Sequence, residues 1–132
     1  MDHPDLQKNI WVNTGEICDN GLDDDGNGFI DDCYGYNHAD DSGSSLLGDG
    51  SHGSHCSGTV AADNDNSLYV AGVAGGKEGN KGASIMTSVG FGVTVYDGFA
   101  EALVYGADNG ARISSNSWGY TVPDSYDQDE LD

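Results

Sequence analysis

Positive charge is what this chain has least of. Only four of its 132 residues are Lys or Arg, against 23 Asp and Glu, giving a net charge of −19. Phosphate recognition needs basic patches, so a nucleic-acid partner is not expected. Long apolar runs are also missing, which excludes a helical membrane span of ordinary length, and the first residues carry no signal-peptide pattern. Cysteine is scarce, at three residues. Cys18 and Cys33 flank one acidic loop, while Cys56 stands apart. A Cys18–Cys33 disulfide with Cys56 free is the natural reading, and it implies an oxidising, secretory compartment. Three reduced thiols in a cytosolic protein is the alternative. Glycine, by contrast, is abundant at 21 residues. The glycines are scattered among apolar segments, as in a loop-rich α/β enzyme, rather than gathered into a linker. Acidity on this scale favours bound cations or salty surroundings.

The chain shows no internal repeat. Residues 2–12 read as a loop entering a short extended piece, and 13–37 as an acidic insertion. A Ser/Gly-rich loop over 40–50 leads to a small-residue helix over 56–62, capped by Asp49 or Ser51. Strands are predicted at 68–74, 84–89 and 112–117. A helix is predicted over 97–109, with Asp97 as its cap and Asn109-Gly110 as its stop. Short strands alternating with helices suggest a parallel sheet with helices on its faces. The acidic segment 124–132 is either the start of a helix or a disordered tail.

Two stretches carry candidate chemistry. The first is Asp49-Gly-Ser-His52-Gly-Ser-His55-Cys56-Ser-Gly-Thr59. His52 would stand at a helix N-terminus, with His55 and Cys56 three and four residues on along nearly the same face. It can serve as a general base toward a serine hydroxyl, given an Asp to orient its other nitrogen. A metal site of His52, His55 and Cys56, or a solvated loop histidine, are the other readings. The second stretch is the loop between Cys18 and Cys33. Asp23, Asp25 and Asn27 alternate ahead of Gly28, with Phe29 able to offer a carbonyl and Asp31 a further ligand, in the manner of an EF-hand loop. Tyr34 occupies the twelfth position where a bidentate Glu belongs, so the set must be completed elsewhere, with Asp32 the nearest candidate. A solvated acidic loop is the alternative.

The histidine stretch resembles the H-G-[ST]-H-[VC]-[AS]-G-T block of the subtilisin-like serine proteases at every position from His52 to Thr59. The opening His3-Pro4-Asp5-Leu6 and the strand Ile113-Ser-Ser-Asn116-Ser117-Trp118-Gly119 are similar to further motifs of that family. The 13–33 stretch resembles an insertion found in many of its members, with Thr14 in place of a proline. The resemblance implies a subtilisin-like three-layer α/β/α fold with a mostly parallel sheet, present as a partial domain over 1–123. It implies His52 as the catalytic base and His55 as a buried structural residue. Ser117, Trp118 and Gly119 would pair with a polypeptide substrate through their backbone, and Val89 to Gly92 would lie near a second substrate strand. A calcium site is implied from Asp5 and the Asn66 side chain, with the carbonyls of Asn64, Leu68 and Val70. No G-T-S-M-A block, which holds the family's nucleophile, occurs here. The orienting Asp, the Ser and the oxyanion Asn are expected outside these residues, Asn116 lying on the wrong strand for that role. The chain is therefore expected to be a slice of a secreted or lumenal endopeptidase, completed by the remainder of the protease. A calcium-binding, non-catalytic subunit of a larger assembly is the rival expectation.

Overall fold

The computed structural model describes residues 3–46, 51–91 and 98–122. The proposed caps Asp49 and Asp97, Gly92, and the 124–132 tail lie outside the described residues. In chain order the elements are a 3-10 turn at Gln7–Asn9, strand β1 (Gly35–Asn37), helix α1 (His52–Ala61), strand β2 (Thr87–Val89) and helix α2 (Phe99–Asp108).

β1 and β2 pair in parallel, with Gly35 opposite Thr87, Tyr36 opposite Ser88 and Asn37 opposite Val89. A parallel bridge between Ile10 and Ile85 continues the same direction. Parallel strands require a long crossover, and α1 lies on it, so β1–α1–β2 is one α/β unit. The two backbones approach so closely at Gly35 that an added Cβ would lie 1.9 Å from the Thr87 carbonyl oxygen, and φ is +130°. Only glycine fits there.

α1 starts at His52, where a histidine at a helix N-terminus is expected, and the Gly-Ser pair after it lies in the first turn. No strand forms at 68–74. That segment instead serves the C-terminal end of α1, whose last carbonyls lack intrahelical partners. Val73 N–H donates to Thr59 O at 3.0 Å, Ala74 N–H to Val60 O at 2.7 Å and Gly72 N–H to Ala62 O at 3.0 Å. The predicted strand at 84–89 is present in shortened form as β2. Residues 112–117 have no strand partner among the described residues. α2 matches its predicted position, and Gly110 at φ +85° ends it. Gly98, not Asp97, is its N-cap.

Among the described residues the apolar core is small: Leu6, Ile10, Cys33, Tyr36, Ala61, Ala62 and Tyr105. Polar side chains fill much of the remaining interior. Asn9 is fully buried. Its Nδ2 donates to Ala61 O at 2.9 Å and Gly75 O at 3.0 Å, and its Oδ1 accepts Gly82 N–H at 2.8 Å. One side chain thus ties the end of α1 to two turns that lead toward β2. Lys8 adds an ion pair to Asp63 at 2.6 Å. Elsewhere apolar side chains face water, Val73 at 92% exposure and Ile113 at 86%.

Asn9→Ala strands the Ala61 carbonyl and the Gly82 N–H and leaves Gly75 O with only the longer bond from Asn64 N–H, at 3.4 Å. Each buried orphan costs about 1–3 kcal/mol, so the variant is expected to lose roughly 2 kcal/mol or more. Urea melts of the two proteins measure it, and a loss below about 1 kcal/mol would remove Asn9 from this role.

Candidate functional site

His52 is the first residue of α1, and Ser51 precedes it as a cap without a side-chain bond. Both His52 and His55 are exposed. Cys56, one turn below His52, places its Sγ 3.7 Å from His52 Nε2 and is half-buried. The burial expected for His55 is not reached, because no described element covers that face of α1. Nor do the three converge as metal ligands. Among the described residues, the metal-type group whose ligand atoms come together is Glu16, Asp23 and Asp25.

Those three carboxylates have oxygens within 4.8 Å of one another. Backbone amides shape the loop around them. Asp23 Oδ1 accepts Gly26 N–H at 2.7 Å, and its Oδ2 accepts Gly28 N–H at 2.8 Å. Glu16 Oε1 accepts the N–H groups of Asp24 at 2.8 Å and Asp25 at 3.1 Å. Glu16 Oε2 is buried and has no donor. An orphaned carboxylate oxygen beside two more carboxylates is a donor set suited to a hard cation. The side chains of Asp31 and Asn27 accept backbone N–H groups here. Asp31 turns away to accept Asn20 and Gly21 N–H, each at 3.0 Å. Asn27 Oδ1 accepts Phe29 N–H at 2.8 Å, and the Phe29 ring enters an aromatic cluster. The Cys18–Cys33 disulfide closes the loop as expected, with the α-carbons 5.8 Å apart.

Of the second predicted ligand set, Asp5, Asn66 and Val70 come together. Asp5, 1% exposed, accepts Asn66 Nδ2–H at 2.7 Å and Val70 N–H at 3.1 Å. Leu68 offers its N–H to Asn66 Oδ1 at 2.9 Å. The Asn64 amide donates to Gly76 O at 2.9 Å. In this arrangement the Asp5 carboxylate is bonded by the Asn66 amide and the Val70 N–H.

Trp118 and its neighbours Ser117 and Gly119 lie outside any strand. The Trp118 ring is 4.5 Å from Phe99, 6.2 Å from Phe91 and 6.2 Å from Tyr120, while Phe91 and Phe99 are 5.0 Å apart. An aromatic wall therefore runs from the start of α2 to the segment predicted to meet substrate.

Compared with known proteins, residues 1–131 match the model of the subtilase family. The chain belongs to that family. It is 49% identical over 72 residues to subtilisin-like protease 1 of Plasmodium berghei (strain Anka), a match covering 54% of the chain and 12% of the relative. The corresponding Plasmodium vivax protein is 45% identical over 74 residues, covering 55% and 12%. Thermitase of Thermoactinomyces vulgaris is 34% identical over 91 residues, covering 69% and 31%. The matched stretch is thus about an eighth of the length of the Plasmodium relatives. No described helix of this subtilase chain is long and apolar enough to cross a membrane.

Behind the acidic loop the structure adds residues that the sequence did not single out. Glu16 is one. Asp32, predicted as a ligand, is another kind of surprise: it has no exposed surface. Its carboxylate accepts Asn13 Nδ2–H at 2.7 Å, Asn27 Nδ2–H at 3.0 Å and Tyr105 O–H at 2.8 Å. Burial, then Asp32, push the Tyr105 phenol far above its ordinary pKa, so it stays a donor. Phe29, Tyr36 and His38 surround the Tyr105 ring at 4.8, 6.3 and 5.4 Å. Burial also raises the Tyr36 phenol, which donates to Asp41 at 2.7 Å.

His38 has no hydrogen-bond partner on either ring nitrogen. Burial lowers its pKa below 6.5, against the opposing pull of Glu101 and Asp41. The folded state therefore disfavours the proton that the unfolded chain takes up. No penalty exists above pH 6.5; stability falls as pH drops through 6.5 and levels off below the folded pKa. His38→Phe keeps a ring in the cluster and is expected to remove this component. Urea midpoints between pH 7.5 and 5.5 should fall less in the variant than in the parent chain. Parallel slopes would mean that carboxylates carry all of the pH response.

Proposed function

We propose that this chain supplies the histidine, part of the substrate-binding surface and a calcium loop of a subtilisin-type serine endopeptidase. The observation that carries the reading is the complete block from His52 to Thr59, with His52 exposed at the start of a helix. In that role His52 Nε2 takes the proton of a serine hydroxyl as it attacks the peptide carbonyl, then returns it to the leaving amine. Ser117, Trp118 and Gly119 would offer backbone groups to an extended peptide, and the Phe91–Phe99–Trp118 wall would flank it. The serine and its orienting aspartate would come from outside these 132 residues. Calcium in the acidic loop would be held by Glu16, Asp23 and Asp25, where it removes the mutual repulsion of the three carboxylates. The disulfide supports an oxidising compartment, secreted or lumenal. The rival reading, a calcium-binding subunit without catalysis, draws on the absence of a G-T-S-M-A block in this sequence.

The 132 residues alone are expected to turn over no peptide, since the nucleophile's block is missing. A chromogenic peptide and a serine-directed phosphonate test this; stoichiometric labelling of a serine would place the nucleophile here after all. In a longer chain holding the whole site, His52→Ala should lower kcat by about 10⁶-fold, the loss known for the equivalent change in subtilisin. An active His52→Ala enzyme would end the catalytic reading.

Calcium should raise the melting temperature of the chain, because the carboxylates converge only on folding. At about a hundred times Kd the gain is roughly 2.7 kcal/mol. Glu16→Gln should lose most of it. Melts that coincide in calcium and in chelator would leave the loop a solvated acidic surface.

A further inference from the structure

Asp32 joins parts of the molecule that the sequence keeps far apart. From the loop side it receives Asn13 and Asn27, and from α2 it receives the Tyr105 hydroxyl. Asn13 also donates to Asp25 Oδ2 at 2.9 Å, and Asp25 Oδ1 accepts Asn27 N–H at 3.0 Å. One carboxylate of the acidic cluster is thus linked to Asp32 through two asparagines. On the other side, Tyr105 sits six residues along the same ten-residue helix from Phe99. That separation is about 9 Å of helix rise, short enough for the segment to move as one body. Phe99 in turn packs against Trp118 in a tilted contact and against Phe91 edge to face.

We infer that Asp32 and Tyr105 form a positioning pair through which the acidic loop sets helix α2, and with it the Phe91–Phe99–Trp118 wall. The inference rests on the reading above, in which the loop holds calcium and residues 117–119 meet substrate. The physical basis is the cost of leaving Asp32 short of a donor. A buried carboxylate loses several kcal/mol of hydration, so its three donors are held together as a set. When the loop's carboxylates spread by repulsion, Asn13 and Asn27 are drawn with them, and Tyr105 must follow or leave Asp32 underbonded. A cation that gathers the loop fixes the same set in one geometry. Two-site coupling of this kind is typically worth a factor of 5–150.

The ring contacts of Tyr105 with Phe29 offer a competing route, which Tyr105→Phe separates by removing the hydroxyl alone. The experiment is hydrogen exchange on the 132-residue chain, in calcium chloride and in EGTA, read separately for the loop and for α2. Calcium should slow exchange in both segments of the parent chain, by about fivefold or more in α2. In Tyr105→Phe the loop should still slow and α2 should not. Asp32→Asn, which cuts the pair from the loop side, should behave alike and serves if the first variant does not fold. Loop protection without α2 protection in the parent chain overturns the inference and leaves the calcium reading standing. Persistent α2 protection in the variants overturns it too, since packing would then carry the coupling. No protection in either segment overturns both.

Discussion

A carboxylate removed from water must be surrounded by donors or the fold does not hold it, and Asp32 imposes that demand at the centre of this molecule. Asn13, Asn27 and Tyr105 answer it from three separate stretches of chain. The loop closed by Cys18 and Cys33 can take its shape because its Asn27, and Asn13 just before it, are anchored there. Helix α2 is seated by the same carboxylate, and the ring of Tyr105 then organises Phe29, Tyr36 and His38. Asn9 does comparable work on the other side, between α1 and the turns that follow it. With so few buried apolar side chains, directional polar bonds fix the positions that packing fixes in larger cores.

What could be read from the sequence follows from how local each signal is. The helix beginning at His52, the stop at Gly110, the Cys18–Cys33 pairing and the acid-rich loop all depend on neighbours within a few residues. The strands were harder. Residues 68–74 look like a strand in composition, but the open carbonyls at the end of α1 claim their N–H groups first. Residues 112–117 have no strand partner among the described residues, and a strand exists only relative to a partner. Glu16 was not singled out as a ligand for a similar reason: it lies outside the EF-hand-like spacing, and only the folded chain brings it over Asp24 and Asp25. The exchange of Asp32 for Glu16 among the loop's acids shows that charge pattern alone does not say which carboxylate faces in.

The two acidic sites illustrate opposite solutions to one electrostatic problem. At Asp5 a single carboxylate meets the Asn66 amide and the Val70 N–H, and the account closes within the protein. At Glu16, Asp23 and Asp25 three carboxylates meet and one oxygen is left without a donor. The first arrangement is complete as it stands. The second is tense unless positive charge is brought to it, which is why its placement beside the Asp32 network matters for the rest of the chain.

Val73 and Ile113 lie almost entirely in water on a molecule of net charge −19. Such a surface is a polyanion with greasy islands, and the two properties oppose each other when molecules meet. At low ionic strength, repulsion acts over tens of ångströms and keeps the valine and isoleucine of one copy from finding those of another. Near 0.15 M salt the range shrinks to about 8 Å, comparable to a side-chain contact. Its colloidal behaviour is therefore governed by the ionic medium, and salt that strengthens apolar attraction also removes the barrier against it.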